Sequence, residues 1–350
     1  MDFGGFGEYG GPGAGDPAPW SAQARVGAAV DLRRGAMGRW REGRWSDAAA
    51  AVADSAAQPR AIAATDPQAA GRELGKSLAA PAGIQSAEGH PGQCLELAGE
   101  AAALLRHGVA ADPGACLAAL TLDLYYLADA FRRLKRYDEA VETITEALAC
   151  LRRPEFRPDP ELGALLQSPE LAENVRELMA YQCQMILFVV YTARNEPAEA
   201  LATAHDALES AQLLATRGPR RYTLTLAHHL SLLAELYTKR RELQIALGYR
   251  HEALPLWETA IGYARADLGH DLGDDFGDDF GNGAKFRLAR ALHGYALQLV
   301  TLSRPGEALA PLQEATELAG TLARSGLVAY QTLFERCQKT LAALEQRRRK

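Results

Sequence analysis

Apolar and small residues recur between positions 124 and 148 at the spacing of helical faces. Leu124, Leu127, Ala128 and Phe131 fall on one stripe. Tyr137, Ala140, Val141, Ile144, Ala147 and Leu148 fall on a second. Lys135 and Arg136 separate the two, and Asp138 and Glu139 put acids in the first turn of the second helix, where its dipole favours them. The pattern predicts an αα-hairpin. Neither helix can bury its stripe alone, so the pair requires neighbours of the same kind.

Those neighbours are visible as a recurring small residue. It stands at Ala48, Cys94, Ala140, Ala200, Ala246 and Ala308. Ala48 to Cys94, Cys94 to Ala140 and Ala200 to Ala246 are each 46 positions; Ala140 to Ala200 is 60 and Ala246 to Ala308 is 62. The last interval holds four tandem tetrapeptides, DLGH, DLGD, DFGD and DFGN, at residues 267–282. Without those 16 residues it is again 46. The interval of 60 holds RRPEFRPDPELGALLQ, whose three prolines suit a loop insertion.

A side chain no larger than a methyl group lets two helix backbones approach closely, with Phe131 and Tyr137 filling the space beside them. The pattern L-x2-L-A-x2-F followed by Y-x2-A-x6-A resembles the tetratricopeptide repeat family. Leu230, Leu233, Ala234 and Tyr237 before Ala246 and Ala253 carry the same likeness, as do Leu292, Ala296 and Leu299 before Ala308 and Ala315. The step of 46 exceeds the roughly 34 residues of the standard unit. The segment at 288–319 is most similar to the long-helix variant of kinesin-light-chain-like arrays. The resemblance implies an all-α, right-handed α-solenoid of tetratricopeptide-like helix pairs with a C-terminal capping helix.

On this reading residues 1–19 are a disordered Gly/Pro-rich tail. Residues 20–112 are degenerate N-terminal repeats with an irregular linker: a poorly matching helix near 22–41, at most a short helix at 69–79, and a better one from Gly92 to about Arg106. Residues 113–323 are the repeat array, interrupted by an acidic low-complexity insert at 267–283. Residues 324–350 are the capping helix, with Leu333, Cys337, Leu341 and Leu344 on one stripe, and a basic end.

Composition narrows the function. With 38 basic and 44 acidic residues the formal charge is −6. That is no electrostatic footprint for nucleic acid or an anionic membrane. The longest uninterrupted apolar run, 185–191, is far short of the roughly 20 residues a membrane helix needs. The glycine-rich, acidic start is unlike a signal peptide. Five cysteines without a C-x2-C pair read as buried free thiols of a reducing compartment, so a cytoplasmic protein is expected.

Three features invite a chemical reading. Residues 70–77, AGRELGKS, satisfy a relaxed phosphate-loop pattern ending in Gly75, Lys76 and Ser77. A phosphate loop needs an apolar strand before it, and ATDPQA is not one. The insert concentrates Asp271, Asp274, Asp275, Asp278 and Asp279 but lacks the alternating ligand spacing of a calcium loop, so a solvated loop is the simpler reading. His228, His229, His251 and His293 show no H-x3-H pair, so no metal or cofactor is expected.

The resemblance implies ligands against the first helix of each pair. Carried across by position, this selects Tyr125, Asp129, Arg132 and Arg133, then Gln182, Met185 and Val189. Further on it selects His228, Glu235 and Lys239, then Arg290 and His293. The expectation is a non-catalytic scaffold that binds a protein or peptide segment in its groove. The alternatives are a ligand-responsive regulatory module acting on a separate effector chain, and an NTP-binding enzyme resting on Gly75, Lys76 and Ser77.

Overall fold

The computed structural model describes residues 75–76, 78, 82–83, 85–86, 89–158, 169–269, 283–326 and 328–348. The expected tail, the helix near 22–41, Ala48, residues 70–74 and residues 270–282 lie outside them.

Ten long helices follow one another among the described residues. They are α1 (Pro91–Ala111), α2 (Pro113–Arg133), α3 (Tyr137–Arg152), α4 (Pro169–Ala193), α5 (Pro197–Arg217), α6 (Pro219–Lys239), α7 (Leu243–Gly269), α8 (Gly283–Thr301), α9 (Pro305–Ala323) and α10 (Val328–Arg348). α2–α3, α4–α5, α6–α7 and α8–α9 are the hairpins. α1 is the second helix of a preceding pair, and α10 packs on α9.

The turn inside each hairpin is built the same way four times. Lys135, Asn195, Arg241 and Ser303 take left-handed φ values of 61°, 60°, 63° and 62°. The N–H of the next residue reaches back over the helix end: Arg136 to the Phe131 carbonyl, Glu196 to Tyr191 and Glu242 to Tyr237, each at 2.9 Å, and Arg304 to Leu299 at 2.8 Å. This C-cap satisfies carbonyls the helix end leaves open. None of the four is glycine, so the tertiary packing holds each against a cost of about 1–2 kcal/mol.

The joint from one hairpin to the next is different. Asp112 alone separates α1 from α2, and Gly218 alone separates α5 from α6. Each precedes a proline, which disfavours helical geometry for the residue before it, and each sits at ψ of 83° or 71°. Pro113 and Pro219 then open the next helix, where a missing N–H costs nothing. The Asp112 side chain accepts the Ala115 N–H at 3.1 Å. Both long intervals in the repeat fall at joints of this class, α3 to α4 and α7 to α8.

The small residues lie where helices cross. Ala140 and Ala308 are 0% exposed, and Cys94, Ala200 and Ala246 at most 2%. A second row two turns on, Ala101, Ala147, Ala207, Ala253 and Ala315, is 0% exposed throughout. Aromatics fill the remaining space. Trp257 lies so close to α8 that a Cβ on Gly294 would stand 2.2 Å from its ring. Its indole N–H donates to Ser231 Oγ at 3.0 Å. The core is a chain of local clusters: one from α1 to α4, one from α6 to α10, and smaller ones joining them through α5.

Two expectations are corrected. The insert is narrower than 267–283: residues 267–269 continue α7, and Gly283 opens α8. Asp267 is buried and pairs with Arg220 of α6 and, at 3.0 Å, Arg287 of α8. The helix expected at 69–79 also has helical residues beyond it, at 82–83 and 85–86, with Leu78 and Ala82 fully buried. Part of the proline-rich stretch before α4 returns to the core: Phe156 is 1% exposed, and Arg176 donates to its carbonyl at 3.1 Å.

Three stability measurements follow. Ala140→Trp and Ala246→Trp are each expected to lower unfolding stability by about 1–3 kcal/mol or more through overpacking, read as urea midpoints. Asp267→Ala removes the buried carboxylate that Arg220 and Arg287 share, so a loss of about 2–3 kcal/mol is expected. Deleting residues 271–281 is expected to leave the midpoint nearly unchanged, because closure entropy varies slowly with loop length.

Candidate functional site: the inner wall of first helices

First helices touch one another across hairpins: α2 meets α4, α6 meets α8, and α8 meets α10. Second helices make no comparable contact with one another. The layer whose successive members touch lies on the inside of the bend. The first helices therefore form the inner wall, and the exposed positions on them form its surface.

The structure divides the expected wall residues. Glu235, Lys239 and Arg290 are exposed, as is Val189. Gln182 and His228 are half-buried. Tyr125 and Met185 are half-buried and mainly packed: Tyr125 stands edge-on to Tyr126 at 5.4 Å, and Met185 lies against the clusters of Tyr181 and Phe188. His293 is buried.

Arg132 and Arg133 are engaged within their own helix. Both close on Asp129, at 2.9 Å from Arg132 Nε and 2.7 Å from Arg133 Nε. Ser86 Oγ donates to the same carboxylate at 3.1 Å. Asp129 is 7% exposed, so its partners balance a charge that would otherwise be costly to bury. The Ser86 bond ties α2 to the segment before α1.

The sequence reading missed Tyr181, Arg336 and Thr340. Tyr181 looks like core, and α10 looks like a cap. His293 Nε2 lies 3.2 Å from Thr340 Oγ1, and that hydroxyl donates to the Arg336 carbonyl at 2.8 Å. The hydroxyl's proton is thus committed, so His293 donates from Nε2. Burial, then Arg336, lowers the His293 pKa to about 4. Burial, then Arg290, His229 and Arg336, lowers that of His228 to about 3. His228 is half-buried, and the protein around it strips water from its imidazole.

No family model and no curated protein matches the chain. Solved structures do match. The apo form of RapI is 12% identical, covers 90% of this chain and 99% of its own, and superposes with a TM-score of 0.50. The nuclear import adaptor Nro1 of S. pombe is 12% identical over 90% and 99%, at 0.47. A Podosopora anserina kinesin light chain with nearly identical TPR-like repeats is 16% identical over 71% and 96%, at 0.39. The likeness to RapI is one of fold alone. The protein has a tetratricopeptide-like repeat fold.

Gly75 and Lys76 are helical, and a Cβ on Gly75 would meet Leu105 at 2.6 Å. Gly75 is thus a packing residue against Leu105. Among the described residues no three His, Cys, Asp or Glu side chains come together to hold a metal. All five cysteines are free and buried, and burial pushes Cys94 and Cys183 up to about 12 and Cys337 to about 11. Such thiols are poor nucleophiles. Among the described helices only α2 has the length and apolarity of a membrane span, and 61% of that stretch is buried inside the fold.

One buried repeat position of the first helices breaks the pattern. Asp123, Cys183, His229, Ala291 and Cys337 occupy it. His229 Nε2 donates to the Ala204 carbonyl of the preceding helix at 2.6 Å. Asp123 is 0% exposed, and neither of its oxygens has a partner. Burial pushes its pKa well above the usual carboxylate range, so the folded chain holds a proton that the unfolded chain releases. Stability from this group is complete below the unfolded pKa of about 3.9 and falls as pH rises towards the folded value. Asp123→Ala is therefore expected to gain on the parent by up to about 1 kcal/mol per pH unit between pH 4 and its folded pKa. Urea titrations of both at several pH values check this; a gap independent of pH contradicts it.

Proposed function

We propose that the protein is a non-catalytic scaffold whose inner wall binds a segment of another polypeptide. The observation that carries the proposal is the contrast between the two sides of the first helices. One side is packed with alanine, leucine and aromatics. The other presents Gln182, Val189, His228, Glu235, Lys239 and Arg290, half-buried or exposed, on a stack held rigid by repeated turns. A preformed surface pays little conformational entropy on binding, so modest contacts spread along a segment suffice. The pairing of Arg132 and Arg133 with Asp129 moves the proposed binding surface towards α4, α6 and α8.

The test is a binding titration with a partner isolated by pull-down. Val189→Arg and Glu235→Arg, both exposed on the inner wall, are expected to weaken it about tenfold or more. Arg324→Glu, at the end of second helix α9, is expected to leave it unchanged. Full affinity in the inner-wall variants, with loss in Arg324→Glu, would place the partner elsewhere.

A further inference from the structure

The edge of the array that carries the hairpin turns bears an exposed apolar surface. Of the eight large apolar side chains exposed among the described residues, three fall within five positions at the start of α7: Leu243 at 62%, Ile245 at 46% and Leu247 at 42%. Ala246 between them is buried, so the first turn of α7 stands proud of its neighbours on both sides. Leu243 and Leu247 lie one turn apart on one face. Two turns further along that face, Leu254 joins the cluster of Leu299, Ala308 and Leu344. Beside that cluster is a cavity of about 300 Å³, lined by Val300, Ser303, Pro305, Leu344 and Arg347. It has room for a phenyl ring, since about 150 Å³ holds benzene.

Cations border this surface. Arg240 and Arg241 stand in the turn between α6 and α7, and Arg347 lines the cavity. Arg240 pairs with Glu242 at 2.7 Å. Arg241 and Arg347 are exposed and have no ion-pair partner among the described residues. The tetrapeptides between α7 and α8 have the complementary composition. They place Leu272, Phe276 and Phe280 at every fourth position and fill the intervals with Asp271, Asp274, Asp275, Asp278 and Asp279. A loop that is only solvated needs the acids but has no use for the two phenylalanines and the leucine.

We propose that this edge docks the acidic insert of a second copy of the chain. Leu272, Phe276 and Phe280 meet the start of α7 and the cavity, and the aspartates meet Arg241 and Arg347. Chain length excludes a copy's own insert. The insert leaves from the far end of α7, and the 26 residue steps from Leu243 to Gly269 span about 39 Å of helix. Residues 270–282 must leave Gly269 and return to Gly283, so they reach no further than about 25 Å. Charge favours the pairing, because exposed guanidinium groups without partners gain from carboxylates that repel one another along the insert. The insert and the surface that receives it lie at opposite ends of α7. Two copies with α7 antiparallel therefore exchange inserts, each giving one and receiving one, and the assembly closes as a two-fold dimer. The contact uses α7, the hairpin turns and the end of α10, and none of the exposed positions of the inner wall.

The test is sedimentation equilibrium of the full chain over a concentration series. A dimer is expected for the parent. Monomers are expected for the variant lacking residues 271–281 and for Leu243→Glu/Leu247→Glu. Mixing those two variants brings an intact insert to an intact edge, so a heterodimer is expected. A synthetic peptide of residues 270–282 is expected to bind the deletion variant, with affinity about tenfold or more lower once Arg241→Glu is added. Leu134→Glu, on the same edge two hairpins away, is expected to keep the dimer. Parent and deletion variant are expected to share one unfolding midpoint at low concentration, where the parent is monomeric. Circular dichroism on each variant separates lost association from lost fold. A parent that stays monomeric at every concentration would overturn the proposal. A dimer kept by the deletion variant would assign the edge to another occupant, and an unassociated mixture of the two variants would overturn the exchange.

Discussion

The close approach of helices at the alanine crossings is the constraint on which this structure depends. Ala140, Ala200, Ala246 and Ala308 are buried where backbones nearly touch, and so are Ala147, Ala207, Ala253 and Ala315. A larger side chain at any of them would push a helix pair apart. The hairpin turns are held to the same tolerance. Four non-glycine residues adopt φ near 60° because the carbonyl ends they cap must meet the next helix at a fixed place. The fully described joints between hairpins, at Asp112 and Gly218, carry no such bond, and both long intervals of the repeat fall at joints of that class.

That architecture separates stability from recognition. The packed side of the first helices holds the array together, and their opposite side is free to vary. Variation there is large: within one repeat position the chain moves from Gln182 to His228, Arg290 and Arg336. At the N-terminal end the wall is tied internally, because Asp129 holds Arg132, Arg133 and Ser86. The two ends of one surface therefore serve different purposes.

Much of the fold was legible because it depends on periodicity. The step of 46 located the hairpins. Asp267 was misread because it opens a low-complexity run, while its burial depends on Arg220 and Arg287, distant in sequence. The wall was less legible for the same reason. Arg132 and Arg133 look like free cations until Asp129, one turn away, is seen to take both. Arg336 looks like the solvated side of a cap until Thr340 and His293 show how α10 is seated. Asp123 reads as an ordinary polar residue of an amphipathic helix. Only the repeat register shows that it stands where other hairpins place Cys183, His229 or Ala291.

Hydrogen exchange along the chain, with and without a saturating amount of a partner isolated by pull-down, tests the central claim most directly. Binding to the inner wall predicts slowed exchange in α4, α6 and α8, with α3, α5, α7 and α9 little changed. Slowed exchange confined to the second helices would contradict the account.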